Sequence, residues 1–409
     1  MTKNKNFDII IVGSGMVGAA LACALAETDL KIALVDRFKP AIDWPIEGYE
    51  LRVSALTFAS QQILKKLGAW EKMKQRRVSP FTDMHVWDAT GNGEIKFHSE
   101  DIGKPYLGHI VENRVTLGAL FERLEKLDNV EFLQPIIASS IHSDFEKTEL
   151  HLENGETLSA KLIVGADGGR SWVRDQAGIQ LEVRNYQQKG LVTTVKTEHH
   201  HKNTARQRFL PTGPLAFLPL TDGYCSIVWS TSHEDADRLV ALDEKDFVKE
   251  LEIALGETEL GHVESCAQRA VFPLIKQHAE KYCANRLVLV GDAAHTIHPL
   301  AGQGVNLGLL DIATLAEEII SATQKRKDIA SQQVLRRYER RRKSDNTLML
   351  NSMDGFHLLF ANNNTILSRA RNVGLAITNG ITPLKSKLIE HAMGIDKKIP
   401  FITPAIDEK

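Results

Sequence analysis

The apolar positions of this chain fall into short runs, each followed by glycines or by a stretch of helical character. Residues 7–12 and 31–35 form two such runs and flank an alanine-rich stretch that ends near residue 27. Residues 158–164 and 286–290 form two more, and helical spacing after the second continues to about residue 321. Short apolar runs that alternate with helical stretches predict buried strands with covering helices, and therefore the α/β class.

A second pattern fills the segments between these units. Residues 81–97 alternate between apolar and polar positions on either side of Asn92 and Gly93, and similar patches recur over residues 191–230. This alternation predicts antiparallel strands with one buried face. A basic run over 336–343, followed by apolar and basic residues at helical spacing over 355–394, predicts helices at the C-terminus.

Three glycines in the first unit carry the first chemical signal. Gly13, Gly15 and Gly18 follow the first strand, and Asp36 stands at the end of the next one. Gly13 permits a tight turn, Gly15 lets a pyrophosphate approach the backbone, and Gly18 lets the helix pack closely. An acid at this distance accepts hydrogen bonds from an adenosine ribose, so the ordered set predicts a dinucleotide site.

The stretch over residues 291–311 carries the second signal. Asp292 ends a strand, where a carboxylate can hold sugar-like hydroxyls, and Pro299, Gly302 and Gly304 shape a turn without bulky side chains. The first N–H groups of the following helix lack intrahelical partners, and the helix dipole adds positive potential there. Such a helix start suits a flat ring that becomes anionic when it is reduced, which describes a flavin.

A third segment has the same character. Asp167 lies among small residues after the strand predicted at 158–164, which lets a ligand approach the backbone. Arg170 and Arg174 follow it as candidates for phosphate contacts, with surface ion pairs as the alternative for each.

Charge, cysteine spacing and hydropathy exclude several classes of protein. The chain has 409 residues, enough for two or more subdomains, and its net charge of −2 argues against a general nucleic-acid binder. The four cysteines show no CxxC spacing, so neither a disulfide framework nor a zinc site is indicated. No apolar stretch is long enough to span a bilayer, and Asp8 and the glycines interrupt the N-terminal run that a secretory signal requires. We therefore expect a cytoplasmic protein.

Two groups of histidines invite a metal interpretation. We expect His199, His200 and His201 to form an exposed loop, and His295 and His298 to have structural roles in the turn that faces the flavin. Because these interpretations are preferred over a metal site at both groups, we predict no metal.

Together the three segments resemble the aromatic hydroxylases among the single-component flavoprotein monooxygenases, which have the para-hydroxybenzoate hydroxylase fold. The resemblance implies that Asp167 and Gly168 match a motif serving both FAD and NAD(P)H, and that Asp292 contacts the flavin ribityl chain. No second dinucleotide unit is present, so we expect NADPH or NADH to bind transiently near Asp167 and Arg174. The expected FAD contacts are Gly13, Gly15, Gly18, Asp36, Arg52, Arg114, Asp167, Asp292, Gly302, Gln303, Gly304 and Asn306.

More narrowly, residues 298–308 with Asp311, and the segments 51–56, 108–113 and 216–220, resemble the ubiquinone-biosynthesis hydroxylases. This implies an FAD-dependent monooxygenase that uses NADPH or NADH and O2 to hydroxylate a polyprenylated phenol, with ring position 5 preferred. Another ring carbon, including the demethoxyubiquinol step, stays open. So do a flavin reductase or dehydrogenase that inserts no oxygen, and a non-catalytic subunit that holds FAD for its shape.

The predicted architecture is mixed α/β. A Rossmann-like FAD-binding domain takes residues 1–75, 105–180 and 270–330, an inserted antiparallel-sheet substrate domain takes 76–104 and 181–269, and C-terminal helices take 331–409. Candidates for the wall of the substrate pocket, each with ordinary sheet core as the alternative, are Phe217, Leu218, Pro219, Val228 and Trp229.

The basic run has two interpretations. A solvated helix face is the default expectation for residues 336–343. The sharper hypothesis places the tail helices against a membrane surface, such as the inner membrane, or against a partner protein of ubiquinone biosynthesis, where a polyprenyl substrate is collected.

Overall fold

The computed structural model describes residues 4–42, 44, 47–297, 304–360, 382–395 and 399–400, and it confirms the mixed α/β class. The strands are β1 (Asn4–Asn6), β2 (Ile9–Val12), β3 (Ile32–Val35), β4 (Val53–Leu56), β5 (Ser79–Phe81), β6 (Asp83–Asp88), β7 (Glu94–His98), β8 (Gly108–Glu112), β9 (Val130–Leu133), β10 (Ala138–Ser143), β11 (Thr148–Leu152), β12 (Thr157–Ala160), β13 (Leu162–Gly165), β14 (Leu181–Thr197), β15 (Thr204–Leu210), β16 (Gly213–Pro219), β17 (Tyr224–Ser232), β18 (Val263–Cys266), β19 (Ala270–Ala279), β20 (Cys283–Ala284), β21 (Leu287–Leu289) and β22 (His295–Thr296). The helices are α1 (Met16–Ala24), α2 (Phe58–Lys66), α3 (Trp70–Arg76), α4 (Asn113–Leu124), α5 (Trp172–Gln176), α6 (His233–Ala241), α7 (Glu244–Leu255), α8 (Gly304–Gln324), α9 (Gln332–Phe360) and α10 (Thr382–Met393).

Six strands form the sheet that organises the cofactor site, in the order β20-β21-β13-β2-β3-β9. Every neighbouring pair is parallel except β20 and β21. All residues of β2, β3, β13 and β21 are buried, which is typical of parallel strands covered on both faces. The carboxyl ends of these four strands share one edge, and ligands bind at that edge in open α/β sheets.

One predicted strand divides into two. β12 ends at Ala160 and pairs with β11, whereas β13 begins at Leu162 and pairs with β2 and β21. Between them lies exposed Lys161, whose ammonium group is 2.8 Å from the Asp8 carboxylate. The apolar run over 158–164 therefore serves two different sheets, because the chain changes sheet at this lysine.

The largest sheet has the order β22-β19-β14-β17-β16-β15-β6-β7, with β18 beside β14. The predicted turn between β6 and β7 is confirmed as a hairpin. β19 and β22 join this sheet, although both lie in the piece 270–330 that we assigned to the FAD-binding domain. One face packs against Leu239 of α6 and Phe247 of α7, and the opposite face meets Ala55 and Ile110 of the small sheet β4-β8-β5.

Helix α9 corrects part of the interpretation of the basic run. Arg342 lies inside the protein, and Arg341 pairs with both Glu317 and Glu318 of α8, at 2.6 and 2.9 Å. The expectation of a solvated face is therefore wrong for Arg342, whereas Arg341 is exposed and still pairs with α8. The side of α9 that carries these two arginines forms an interface with α8 because the guanidinium groups find carboxylates there.

The end of α9 and the helix α10 both contact distant parts of the chain. Asp354 accepts hydrogen bonds from Lys276 of β19, at 2.7 Å, and from the Tyr186 hydroxyl of β14. Lys385 of α10 pairs with Asp101 at 2.9 Å. Among the helices that the structure describes, none combines the length and the apolar character that a bilayer crossing requires.

Candidate cofactor site

Two glycines of the first turn are required by the packing of the protein itself. Gly13 has φ +107°, and a Cβ atom there would lie 2.3 Å from the carbonyl oxygen of Ala166. A Cβ atom at Gly18 would lie 1.9 Å from the carbonyl oxygen of Gly13. The roles predicted for them, a tight turn and close packing of helix on strand, are confirmed by these contacts.

Gly15 faces open space, and Gly304 has no close neighbour among the described residues. Gly15 has an ordinary φ of −65° and precedes α1, and Gly304 is the first residue of α8. A Cβ atom at either position would have no neighbour within 4 Å in the described part of the chain. The N–H groups at these two helix starts lack intrahelical partners, and those of α1 face a region where the described residues leave room. The arrangement fits a phosphate-bearing cofactor with a flat ring.

Asp36 directly follows β3, beside the glycine-rich turn. Its carboxylate accepts hydrogen bonds from the N–H and the hydroxyl of Ser14, at 2.7 and 2.9 Å, and from the N–H of Phe38 at 3.0 Å. These bonds fix the carboxylate at the carboxyl edge of the sheet. The contact to an adenosine ribose stays a prediction.

Asp167 and Arg174 hold the segment that follows β13. The Asp167 carboxylate accepts from the Ser171 hydroxyl at 2.5 Å and from the Val173 N–H at 3.1 Å. Burial raises the pKa of Asp167, and these hydrogen bonds oppose the rise. The buried Arg174 guanidinium donates to the carbonyl oxygens of Gly169 and Ala293, at 3.1 and 3.2 Å. Arg174 therefore joins this segment to the turn that carries Asp292.

Asp292 is the residue predicted to contact the flavin ribityl chain. It follows β21 and is exposed, and no side chain among the described residues donates a hydrogen bond to it. Although the residue is exposed, protein atoms surround the carboxyl closely enough to desolvate it in part and raise its pKa, whereas His295 and Arg52 act in the opposite direction. Hydroxyl groups that donate to this carboxylate would relieve the cost of desolvation.

Asn306 lies in the first turn of α8 but uses its side chain inside the protein. Its amide oxygen accepts from the Ser60 hydroxyl at 2.6 Å, and its amide nitrogen donates to the carbonyl oxygen of Ala55 at 2.8 Å. An FAD contact through this side chain stays a prediction. The predicted contacts Pro299, Gly302 and Gln303, and also His298, lie outside the described residues.

The two arginines predicted to contact FAD have different surroundings. Arg52 is exposed, and its guanidinium carbon lies 5.9 Å from the centroid of the Phe272 ring. Arg114 pairs with Glu112 at 2.7 Å and donates to the carbonyl oxygen of Gly48 at 3.0 Å. Arg52 is therefore accessible to a ligand, whereas Arg114 is engaged by the loop before β4.

The structure corrects part of the predicted pocket wall. Phe217 and Trp229 point to the face of the sheet that α6 and α7 cover, where they belong to one apolar cluster with Phe247. They are sheet core, and the prediction that they line the pocket is wrong. Leu218 and Val228 lie on the opposite face and pack with Ala55 and Ile110. Leu218 and Val228 therefore stay candidates for the wall, and Pro219, which belongs to neither cluster, stays a prediction.

The histidine loop is more ordered than we expected. His201 is buried, its Nε2 lies 2.7 Å from the carbonyl oxygen of Leu220, and its Nδ1 accepts from the N–H of Asn203 at 3.0 Å. The expectation of an exposed loop is therefore wrong for this residue. Burial lowers the pKa of His201 to about 4. Within the ranges that the structure describes, no three His, Cys, Asp or Glu side chains form a group that could hold a metal.

Sequence reasoning missed the roles of Asp311 and Arg342. Asp311 is fully buried in α8 between apolar neighbours, and it contacts both the Asp292 turn and Arg342 of α9. An isolated acid in an apolar helix was the available signal, because a buried carboxylate needs a partner. The sequence alone did not identify that partner.

Known proteins give a consistent picture of the chain. A family described as FAD binding domain matches residues 6–351. The 3-demethoxyubiquinol 3-hydroxylase of Escherichia coli strain K12 is 37% identical over 394 residues, which cover 96% of this chain and 100% of the relative. This chain belongs to the family of FAD-dependent ubiquinone-biosynthesis hydroxylases.

Further relatives agree with this assignment. The ubiquinone hydroxylase UbiL of Rhodospirillum rubrum is 37% identical and covers 98% of this chain and 92% of its own. The mitochondrial ubiquinone biosynthesis monooxygenase COQ6 of Homo sapiens is 35% identical, with 94% and 92% covered. The crystal structure of p-nitrophenol 4-monooxygenase PnpA from Pseudomonas putida DLL-E4 superposes with a TM-score of 0.79 at 17% identity, covering 97% of this chain and all of that one. That similarity confirms the flavoprotein monooxygenase fold.

Proposed function

We propose that this chain hydroxylates the aromatic ring of a polyprenylated phenol on the route to ubiquinone, at position 5, using NADPH or NADH and O2. The observation that carries the proposal is the open space at Gly15, before the start of α1. The conformation of Gly15 does not require a glycine, so the missing side chain is best explained by a ligand. Similarity over whole chains to ubiquinone-biosynthesis hydroxylases supports the substrate class.

The residues of the chain bind and orient the cofactor and the substrate, and they exclude water from the site. FAD, when bound, supplies the activation of O2 and the oxygen transfer to an electron-rich ring. Asp292 holds the hydroxyls of the ribityl chain, and the positive start of α8 at Gly304 stabilises negative charge on the ring system. The apolar layer of Leu218 and Val228 keeps water away from the reacting atoms.

For the reductant we propose a transient site near Asp167 and Arg174. Since the Arg174 guanidinium is buried, it acts by holding the backbone of this segment in place. The exposed Arg170 is then the candidate for a phosphate contact.

Labelled O2 tests the oxygen-inserting reaction. The purified protein with FAD, NAD(P)H and a polyprenylphenol should give a product that carries one labelled oxygen atom on the ring. NAD(P)H oxidation should also rise when the phenol is added. An unlabelled product would indicate a reductase or dehydrogenase, and a phenol that fails to stimulate oxidation would indicate a non-catalytic subunit.

A second ring position is supported by a specific observation. The relative from Escherichia coli is named for hydroxylation of 3-demethoxyubiquinol. The alternative is therefore that this chain acts at the demethoxyubiquinol step. Deletion of the gene separates the two, because demethoxyubiquinol accumulates if that step is lost and an earlier polyprenylphenol accumulates if position 5 is the target.

We also propose that the tail contacts a membrane surface or a partner protein where the substrate is collected. The exposed Arg336, Arg340 and Leu348 of α9 support this, since basic and apolar side chains together favour a lipid surface. Flotation of the intact protein with anionic vesicles should fall when both arginines are replaced by glutamate. Equal flotation of the two forms would remove the membrane hypothesis.

A further inference from the structure

A buried carboxylate fixes both ends of the turn that carries Asp292. Asp311 of α8 accepts a hydrogen bond from the N–H of Gly291 at 3.0 Å, and the same oxygen lies 2.5 Å from Nε2 of His295. Gly291 directly precedes Asp292, and His295 follows it by three residues. The position of Asp311 therefore determines the conformation of this turn.

The other oxygen of Asp311 is held by α9. Arg342 donates to it from Nε at 2.8 Å, and Asn346 donates from its amide nitrogen at 3.2 Å. The two partners are also joined, because Arg342 donates from Nη2 to the Asn346 amide oxygen at 2.7 Å. Arg342 and Asp311 are both buried, so water cannot replace the guanidinium if it is removed.

The charge state of Asp311 agrees with this role. Burial alone would raise its pKa, but His295 and Arg342 outweigh that effect and lower the pKa to about 2. Asp311 is therefore ionised at neutral pH and accepts hydrogen bonds on both oxygens.

Helix α9 also packs beside positions 298–303, the turn that we predicted to face the flavin. Leu350 of α9 packs with Ile297 and Leu307, the buried residues on either side of positions 298–303. Helix α9 is thus linked to the Asp292 turn through the polar contacts of Asp311. It also packs against the apolar residues on either side of positions 298–303.

We propose that Arg342 is a positioning residue for FAD: acting through Asp311, it sets the turn that presents Asp292 to the cofactor. FAD affinity and the reduction potential of the bound flavin then depend on a side chain of α9 that faces Asp311 and Asn346. The inference deepens the FAD role of the chain and does not depend on which ring carbon is hydroxylated.

The test compares two neighbouring arginines in the full-length chain. Arg342→Met removes the buried contact, whereas Arg341→Met removes a contact to Glu317 and Glu318 at the surface of the same helix. We expect Arg342→Met to raise the Kd for FAD by about tenfold or more and to shift the flavin absorption spectrum and the reduction potential. Arg341→Met should leave all three unchanged.

The measurements are made at a temperature where circular dichroism shows each apoprotein to be folded. A general loss of stability then leaves the Kd and the potential unmoved. A folded Arg342→Met protein with the wild-type Kd and potential overturns the proposal. If Arg342→Met does not fold, Arg342→Lys replaces it, since it keeps the buried charge but loses the second donor to Asn346. Its Kd should rise by about threefold or more, and an unchanged Kd and potential again overturn the proposal. The proposed ring hydroxylation is unaffected by either result, because no turnover is measured.

Discussion

Gly15 offers the sharpest test of the cofactor site, because the protein itself does not need a glycine there. Its φ of −65° suits any residue, and an added Cβ atom has no neighbour within 4 Å among the described residues. In Gly15→Ala the weaker helix cap lowers the free energy of unfolding by about 0.5 to 1 kcal/mol. The smaller conformational freedom of the unfolded chain raises it by about 0.4 to 1 kcal/mol. The apoprotein should therefore keep its stability to within about 1 kcal/mol.

The effect on the cofactor is expected to be larger. A methyl group at this helix start occupies space that the pyrophosphate requires, and overpacking of this kind costs about 1 to 3 kcal/mol. The Kd for FAD should then rise by about 5- to 150-fold. Fluorescence titration of the apoprotein with FAD measures this change, and urea unfolding of the same samples measures stability.

Gly18→Ala is the matched control. Its Cβ atom would lie 1.9 Å from a backbone oxygen, so it should destabilise the apoprotein by about 3 kcal/mol or more. The two variants thus separate a ligand contact from a packing contact. Wild-type FAD affinity in Gly15→Ala would refute the assignment of this open space to the cofactor.

Four further outcomes are expected. Asp292→Ala should keep the fold but lose FAD during gel filtration, and protein that retains FAD through this step would contradict the ribityl contact. Gly304→Val should block flavin binding at the start of α8, so full FAD content with normal turnover would refute this binding position. The pKa of Asp311 is lowered from 3.8 to about 2, so its stabilisation of about 2 kcal/mol is present above pH 4 and lost as the pH falls through 2. Asp311→Asn should therefore flatten the dependence of the unfolding free energy on pH in this range. An unchanged dependence would contradict the shift. Leu218→Ala should raise the KM for the phenol, whereas Phe217→Ala should cost about 3 to 5 kcal/mol of stability with an unchanged KM. The reverse pattern would show that the other face of the sheet lines the substrate pocket.

Local order made the dinucleotide motif predictable. Gly18 packs against Gly13, and Asp36 bonds to Ser14 in the same glycine-rich turn. These two roles depend on backbone geometry within one βαβ unit, which residue spacing encodes, whereas the close neighbour of Gly13 is Ala166 in a distant segment. The hairpin formed by β6 and β7 was also predictable from local sequence.

Contacts between distant segments were not predictable in the same way. Neighbouring strand residues such as Phe217 and Leu218 face opposite sides of a sheet, but the sequence does not show which side meets the FAD-binding domain. The apolar sides of α6 and α7 decide that, and their docking depends on tertiary packing. Arg342 was hidden for a related reason, since a basic run is usually solvated and only the fold brings Asp311 to it.

The strand order of the six-stranded sheet has a consequence for synthesis. The strand at Ile9–Val12 pairs with the strands at Ile32–Val35 and Leu162–Gly165. The strand at Leu162–Gly165 pairs on its other side with Leu287–Leu289, which is synthesised much later. While the polypeptide emerges from the ribosome, one edge of its most apolar strand stays unpaired until the partner from the middle of the chain arrives. Open edges of this kind recruit other chains, so the newborn protein should depend on chaperones until its second half is made.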